Sequence, residues 1–430
     1  MIRRVAIGLA ALVFVIVVGG LALAWRPAIA PIAPPSAASF PADLVARGQS
    51  LAGAGYCAVC HTRDGGPPFA GGYGLGTPFG TVYSTNITPD PETGIGRWSE
   101  QAFARAMRNG VARDGSHLFP AMPYDSFTKI SDDDVRALYA YLMTRPAVRA
   151  SPQADTIPFP FNFRPLQAGW KLLFFHPGRY QHDASKSAEW NRGAYLAEGL
   201  SHCGGCHTPR NALGAEEEAK AYTGAGDNWI APALDATNPS PVTWTTTELF
   251  GYLRSGGTTL HGATAGSMAP VVHQGLSALP DTDVQAIAVY FADFDHAASR
   301  SAGDAAAVRR AMATSRLGLD EPHDADARLY VTTCGSCHIN AGSEPLATRP
   351  ELALNSALTL SEPTNFIQVV LKGISAKEGA PGLIMPGYAS ALSDGDIARL
   401  AKYLRRTRTN LPAWTDVETR IAAIRKVATQ

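Results

Sequence analysis

The sequence has no cysteine to spare for a disulfide and no net charge. All six cysteines lie in three five-residue motifs, and lysine plus arginine equal aspartate plus glutamate at 37 each. Without a basic stripe, the chain lacks the electrostatic signature of a nucleic-acid-binding protein. No GxGxxG motif follows a candidate strand, and no nucleophile–histidine–carboxylate arrangement is recognisable. We therefore predict no catalytic residue and no substrate-oxidising site in the chain itself.

The three cysteine motifs share the pattern CxxCH. They read CAVCH, CGGCH and CGSCH, at residues 57–61, 203–207 and 334–338. A CxxC pair can be a redox disulfide, half of a zinc site or a c-type haem attachment site. No thioredoxin-like βαβ pattern surrounds the motifs, and three ligands on one tight turn cannot close around zinc, which needs four. We predict haem c attached through Cys57, Cys60, Cys203, Cys206, Cys334 and Cys337, with His61, His207 and His338 as axial iron ligands.

Electron-carrying haem needs a second axial ligand, which is often methionine. Three of the seven methionines lie twelve positions after a glycine and have proline one or two residues further on. They are Met122, Met268 and Met385, after Gly110, Gly256 and Gly373. We predict that these methionines complete the three iron sites. The alternative ligands are His117, His261 and His273, which lie in the first two methionine loops.

The same helical pattern surrounds each motif. One helix-like segment precedes the CxxCH, a second ends at the glycine, and a third follows the methionine. Ser99 and Thr245 are candidate N-caps, and Ser131 and Ser393 begin candidate capping boxes. The pattern predicts an all-α fold with three tandem cytochrome c domains behind an N-terminal transmembrane helix. An apolar cofactor would supply core volume that domains of this size lack.

The longest apolar run lies at the N-terminus. Residues 5–25 contain no charged side chain, a length that is sufficient to span a bilayer. Arg3 and Arg4 favour a cytoplasmic N-terminus. We expect an uncleaved anchor in the bacterial inner membrane, with the rest of the chain in the periplasm. A cleaved signal peptide is the alternative, and it leads to the same compartment.

The repeat also predicts the domain organisation. The segments are an anchor or signal at 1–26, a Pro/Ala tether at 27–40, cytochrome c domains at 41–146, 186–296 and 321–410, an aromatic linker at 147–185, a second linker at 297–320 and a C-terminal tail at 411–430. In the aromatic linker, we expect the rings to pack between two haem domains, with a partner or membrane interface as the alternative. These rings are Phe159, Phe161, Trp170, Phe174 and Phe175.

Some strings are more specific than CxxCH. They include GTPFGTVYSTNITPDPETGIGRWS at residues 76–99, then DGSHLFPAMPY, and EWNRGAYLAEGLSHCGGCHTPRN around the second motif. On these strings the chain resembles the three-haem cytochrome c subunits of bacterial membrane-bound dehydrogenases, which serve gluconate, sorbitol, fructose, alcohol, aldehyde and nicotinate dehydrogenases. The resemblance implies three haem c groups that pass electrons from a catalytic dehydrogenase to ubiquinone or a terminal oxidase.

Two further runs bear on the catalytic partner. PFPFNFRPLQAGWKLLFF and HGATAGSMAPVV are similar to subunits that pair with molybdopterin hydroxylases of the nicotinate or aldehyde type, which have a small iron–sulfur subunit. A flavin enzyme of the gluconate type is the alternative partner. The rival function is a multihaem enzyme such as a peroxidase, which requires one haem with a displaceable ligand. Iron held by both histidine and methionine has no open position, which favours electron transfer.

Overall fold

The computed structural model describes residues 2–226, 228–321 and 323–428, and it contains two compact units. The first unit comprises the chain up to residue 182 together with residues 198–202 and 212–215. The second comprises residues 183–197, 203–211 and those from 216 onward. Helices dominate the described residues, and the strands found there form short antiparallel hairpins. Single turns of 3₁₀ or π helix lie at Ala37–Ser39, Leu196–Leu200, Glu218–Lys220, Val271–Gly275, Leu276–Ala278, Ser301–Gly303 and Leu352–Leu354.

The first unit is built around one tightly packed helix pair. Its helices are α1 (Ile2–Ala24), α2 (Ala42–Ala54), α3 (Cys57–Cys60), α4 (Glu100–Asn109), α5 (Tyr124–Phe127), α6 (Asp132–Met143) and α7 (Leu166–Phe174), and its hairpin joins β1 (Gly74–Thr77) to β2 (Gly80–Tyr83). Helices α2 and α6 approach so closely that a Cβ at Gly48 would overlap the carbonyl oxygen of Ala137. Arg47 contacts the buried carboxylate of Asp134 at 2.6 Å beside this crossing. A glycine and an ion pair therefore hold α2 against α6.

The N-terminal helix corrects one prediction. Within the described residues, no helix is long and apolar enough to cross a membrane, so the predicted N-terminal transmembrane helix is wrong. The uncharged run includes Trp25, which lies beyond the end of α1, and glycine and alanine occupy many of its positions. The carboxyl end of α1 also packs on the first unit, since His117 Nε2 donates to the carbonyl of Ala24 at 2.8 Å. The uncharged run therefore ends in residues that pack on the first unit.

The aromatic linker lies on the first unit and has two kinds of ring. Trp170 and Phe175 pack edge-on against Tyr124, with ring centroids 6.2 and 5.3 Å away. Phe159 and Phe161 are instead 80% and 44% exposed. The linker therefore presents apolar surface as well as filling the core.

The second unit begins with a helix pair like the first. The helices of its first part are α8 (Ala188–Tyr195), α9 (Gly204–His207), α10 (Thr246–Ser255), α11 (Met268–Pro270), α12 (Asp281–Phe294), α13 (Ala297–Arg300) and α14 (Asp304–Ser315). Two hairpins join β3 (Ala225–Gly226) to β4 (Ile230–Ala231) and β5 (Gly257–Thr258) to β6 (Gly262–Ala263). Helices α8 and α12 cross at Gly193, where a Cβ would overlap the carbonyl oxygen of Ala286. Arg192 and Asp283 form a two-point ion pair beside it, at 2.8 and 2.6 Å.

The rest of the second unit surrounds the third motif. Its helices are α15 (Ala325–Thr333), α16 (Gly335–His338), α17 (Ser356–Thr359), α18 (Thr364–Lys372), α19 (Asp394–Arg408) and α20 (Val417–Ala428). Tyr330, Ile367 and Tyr403 are fully or almost fully buried in its apolar core. Trp414 and Ile421 belong to the same core, so the C-terminal residues complete this part of the fold.

Candidate haem sites

Each CxxCH motif forms a single helical turn. The amide of the motif histidine donates to the carbonyl of its first cysteine, at 2.9 Å for Cys57, 3.1 Å for Cys203 and 3.1 Å for Cys334. In a helical turn, positions i, i+3 and i+4 lie on one face. The two thiols and the imidazole of a motif therefore share a face, as bonding to one porphyrin edge and its iron requires.

A backbone carbonyl orients each motif histidine. Nδ1 of His61 bonds to the carbonyl of Thr85 at 2.7 Å, Nδ1 of His207 to that of Pro232 at 2.7 Å, and Nδ1 of His338 to that of Pro350 at 2.9 Å. A carbonyl can only accept, so Nδ1 carries the proton in all three rings. The lone pair is then on Nε2, the form in which imidazole binds a metal.

Burial shifts the pKa of the histidines and cysteines of the motifs. It lowers the pKa of His61, His207 and His338 below the ordinary histidine value, against a smaller opposing effect of the carbonyl bonds. Burial also raises the pKa of Cys57 and of Cys203 to about 12. The imidazoles are thus held neutral, and the first thiols of the motifs protonated, at neutral pH.

A left-handed glycine positions each methionine loop. Helices α4, α10 and α18 end at Gly110, Gly256 and Gly373, whose φ angles are 57°, 82° and 74°. Only glycine adopts such angles without strain. A Cβ at these glycines would meet the ring of Tyr124, the ring of His273 and the carbonyl oxygen of Met385, respectively. The loop that carries the methionine therefore folds back onto the end of the preceding helix.

The methionines lie at comparable depths in these loops. Met122, Met268 and Met385 are all half-buried. Met385 and Cys334 both pack against the hydrophobic core of the third motif region. For all three sites, the methionine ligand stays a prediction that rests on the loop geometry.

The alternative histidine ligands have other bonding partners. His117 uses both ring nitrogens, because Nε2 donates to Ala24 and Nδ1 accepts from the Lys171 ammonium group at 3.1 Å. His261 stacks on Trp244 with a centroid distance of 3.5 Å, and its Nδ1 lies 3.1 Å from Ser240 Oγ. His273 Nε2 bonds to a backbone carbonyl at 3.0 Å. For His117 and His273 these contacts favour methionine as the second ligand, whereas the buried Nε2 of His261 has no hydrogen-bond partner among the described residues.

Sequence reasoning missed one residue that supports the first methionine loop. The ammonium group of Lys171 donates to the carbonyls of Asn109 and Gly110, each at 2.6 Å, and burial lowers the pKa of Lys171 to about 7. It thereby caps the end of α4 from the aromatic linker. No local pattern identifies this lysine, since its partners lie about 60 positions earlier in the chain.

The thiol, imidazole and thioether groups of these sites fit covalently bound haem, and comparisons with known proteins agree. The family model "Cytochrome c" matches residues 45–146, and "Cytochrome C oxidase, cbb3-type, subunit III" matches residues 322–404. The fructose dehydrogenase cytochrome subunit of Gluconobacter japonicus is 36% identical over 86% of this chain and 80% of its own length. The gluconate 2-dehydrogenase cytochrome c subunit of Pantoea cypripedii is 37% identical over 89% and 90%. The chain belongs to the family of cytochrome c subunits of dehydrogenase complexes.

A longer relative is also similar to this cytochrome c subunit. One of the nicotinate dehydrogenase subunits of Pseudomonas putida is 46% identical over 94% of the chain, which spans only about a third of that relative's length, 34%. Membership of the family establishes covalently bound haem c and a role in electron transfer alongside a catalytic dehydrogenase.

Proposed function

We propose that the chain carries three haem c groups, one at each CxxCH motif, and relays electrons through them. The observation that supports three sites is their shared geometry: in each, a carbonyl bond to Nδ1 leaves the histidine's Nε2 lone pair for iron. Bound haem would supply an iron that gains and loses one electron. Met122, Met268 and Met385 would supply the second ligand of each iron, and iron held by both histidine and methionine would have no open position for substrate.

The proposed electron donor is a molybdopterin hydroxylase of the nicotinate type with a small iron–sulfur subunit. The 46% identity to a nicotinate dehydrogenase subunit supports this partner over the flavin gluconate type, whose cytochrome subunit is 37% identical. The proposed acceptor is ubiquinone or a terminal oxidase. We place the protein in the periplasm, because c-type haem is attached there.

Counting haem tests the proposal directly. The purified chain should contain three haems, and the double variant Cys203→Ala/Cys206→Ala should contain two and keep the spectra of the others. The matched variant Met312→Leu changes a buried methionine outside the motifs and should keep all three. A wild-type chain with two haems, or strong binding of carbon monoxide to a reduced haem, would contradict the proposal.

A further inference from the structure

The second and third motif regions are joined inside the second unit by the hairpin β3–β4 and helix α18. The amide of Ile230 donates to Asn365 Oδ1 at 2.8 Å, and Asn365 Nδ2 donates back to the carbonyl of Ile230 at 2.8 Å. Gln368 Nε2 donates to the carbonyl of Asn228 at 2.9 Å. These three bonds fix α18 against the residues on either side of Trp229.

Trp229 lies between this helix and the methionine loop of the second site. Its indole ring covers Gly266, where an added Cβ would overlap the ring. Gly266 has a φ of 55° and precedes Met268 by two residues. The Lys372 ammonium nitrogen is 5.9 Å from the ring centroid. The indole therefore bridges the Met268 loop and the last residue of α18.

The end of α18 is bonded to the methionine of the third site. Ile374 and Met385 exchange two backbone hydrogen bonds, at 2.9 and 3.0 Å. Gly373, which lies between Lys372 and Ile374, packs so closely on the Met385 carbonyl that no side chain fits there. Trp229 therefore packs on the Met268 loop and lies near the end of α18, whose next residues are bonded to Met385.

A second contact holds the same two loops together. The carbonyl of Glu378 accepts hydrogen bonds from Thr264 Oγ1 and from His273 Nε2, the latter at 3.0 Å. Thr264 is fully buried, and its amide donates to Gly256 at 2.7 Å. Side chains of the second methionine loop are therefore hydrogen-bonded to the turn that precedes Met385.

We propose that Trp229 is a positioning residue for electron exchange between the second and third sites, coupling them through their methionine sides. This inference rests on the proposed function, since both sites must carry haem. The exchange would move one electron between the two bound haems, without breaking a bond or moving a proton. Coupling between the two sites depends on packed contacts and falls steeply across a gap. Trp229 supplies packed aromatic atoms beside the Met268 loop, in addition to the direct contact that the two loops make through the Glu378 carbonyl.

The rate of internal electron redistribution tests this role. The full-length protein, partly reduced, is perturbed by a light pulse, and the return of haem absorbance is followed in time. The phase that belongs to the second and third sites is the one absent from Cys334→Ala/Cys337→Ala. Trp229→Leu should slow that phase by about tenfold or more, because contact geometry controls the rate. Trp229→Phe, which keeps a ring, should restore most of it.

Two controls separate coupling from structural support. Trp414→Phe alters a buried tryptophan of the same unit that packs on Phe366, and it should leave the phase unchanged. Haem content, midpoint potentials and hydrogen-exchange protection of the Ile230 amide should all stay the same in Trp229→Leu.

Three results would overturn the inference. An unchanged rate in Trp229→Leu would show that exchange takes another route. Slowing accompanied by loss of Ile230 protection would show that Trp229 only holds the two parts together. Fewer than three haems in the wild type would refute the proposed function itself, and with it this inference.

Discussion

The helix pair beside each CxxCH motif contains an arginine–aspartate ion pair, but in the third pair the two residues are exchanged. Arg47 and Arg192 lie on the helix before the motif and reach aspartates on the later helix. Beside the third motif, Asp326 lies on the earlier helix and bonds to Arg399 of α19 at 2.6 Å. The position of the helices is thus the shared feature, and which helix carries the arginine differs between the pairs.

The crossing points of the helix pairs also differ. The first two pairs cross at glycines that touch a backbone carbonyl of the opposite helix. In the third pair the residue after Asp326 is Ala327, which is completely buried. The first two pairs therefore leave no room for a methyl group at the crossing, whereas the third already accommodates one.

Gly193→Ala tests this contrast and should have the largest effect. The new methyl group would meet the backbone of Ala286, which cannot move without separating α8 from α12. We expect a loss of about 2–3 kcal/mol in the free energy of unfolding, measured by urea titration. Ala327→Gly should cost about 1–2 kcal/mol, through helix propensity and the loss of a buried methyl group.

Gly169→Ala is the matched control for this substitution. Gly169 also lies within a helix, α7, but has no atom within 4 Å of an added Cβ. The substitution should stabilise the chain by about 0.5–1 kcal/mol. Equal losses at residues 169 and 193 would show that close packing is not the reason for glycine at the crossing.

Breaking the ion pairs should have a smaller effect that depends on burial. Arg192→Ala removes a two-point partner from Asp283, whose side chain is 15% exposed, and should cost about 1–2 kcal/mol. Arg399→Ala affects a pair whose side chains are 42% and 36% exposed, and it should cost less than about 1 kcal/mol.

Exchanging the charges of a pair sharpens the comparison. The swap Asp326→Arg/Arg399→Asp should recover most of the loss in urea unfolding, because both positions reach solvent. The same swap of Arg47 and Asp134 should not, because it places an arginine where the side chain is only 2% exposed. Recovery in both pairs would show that burial does not decide which helix carries the arginine and which carries the aspartate.

Features that depend on residue type were predictable from sequence, and features that depend on the backbone or on distant contacts were not. The chemistry of thiol, imidazole and thioether restricts which residues can bind haem, so the motifs and the glycine-to-methionine spacing were visible. The carbonyls of Thr85, Pro232 and Pro350 left no signal, since every residue has one. Trp229 was also missed, because its contact with α18 joins residues more than 100 positions apart.

At the N-terminal run, by contrast, the sequence predicted a membrane-spanning helix that the described residues do not contain. A count of uncharged positions predicted a spanning helix, although the contacts that hold its carboxyl end to the first unit involve residues far along the chain. His117 and Lys171, which form that contact network, lie 93 or more positions after Ala24. Composition alone could not reveal them.

The remaining comparison concerns how the last helix of each site begins. Ser393 and Asp396 form a reciprocal capping box at α19, whereas at α6 the Ser131 hydroxyl accepts from the amide of Asp134. Ser393→Ala should cost about 1 kcal/mol in the free energy of unfolding, because the amide of Asp396 loses its acceptor. Ser393→Thr keeps the hydroxyl and should cost less. Since Asp396 also accepts from the amide of Ser393, Asp396→Ala should add to the loss at the third site. An equal effect of Ser393→Ala with and without Asp396 would show that the two capping bonds act independently.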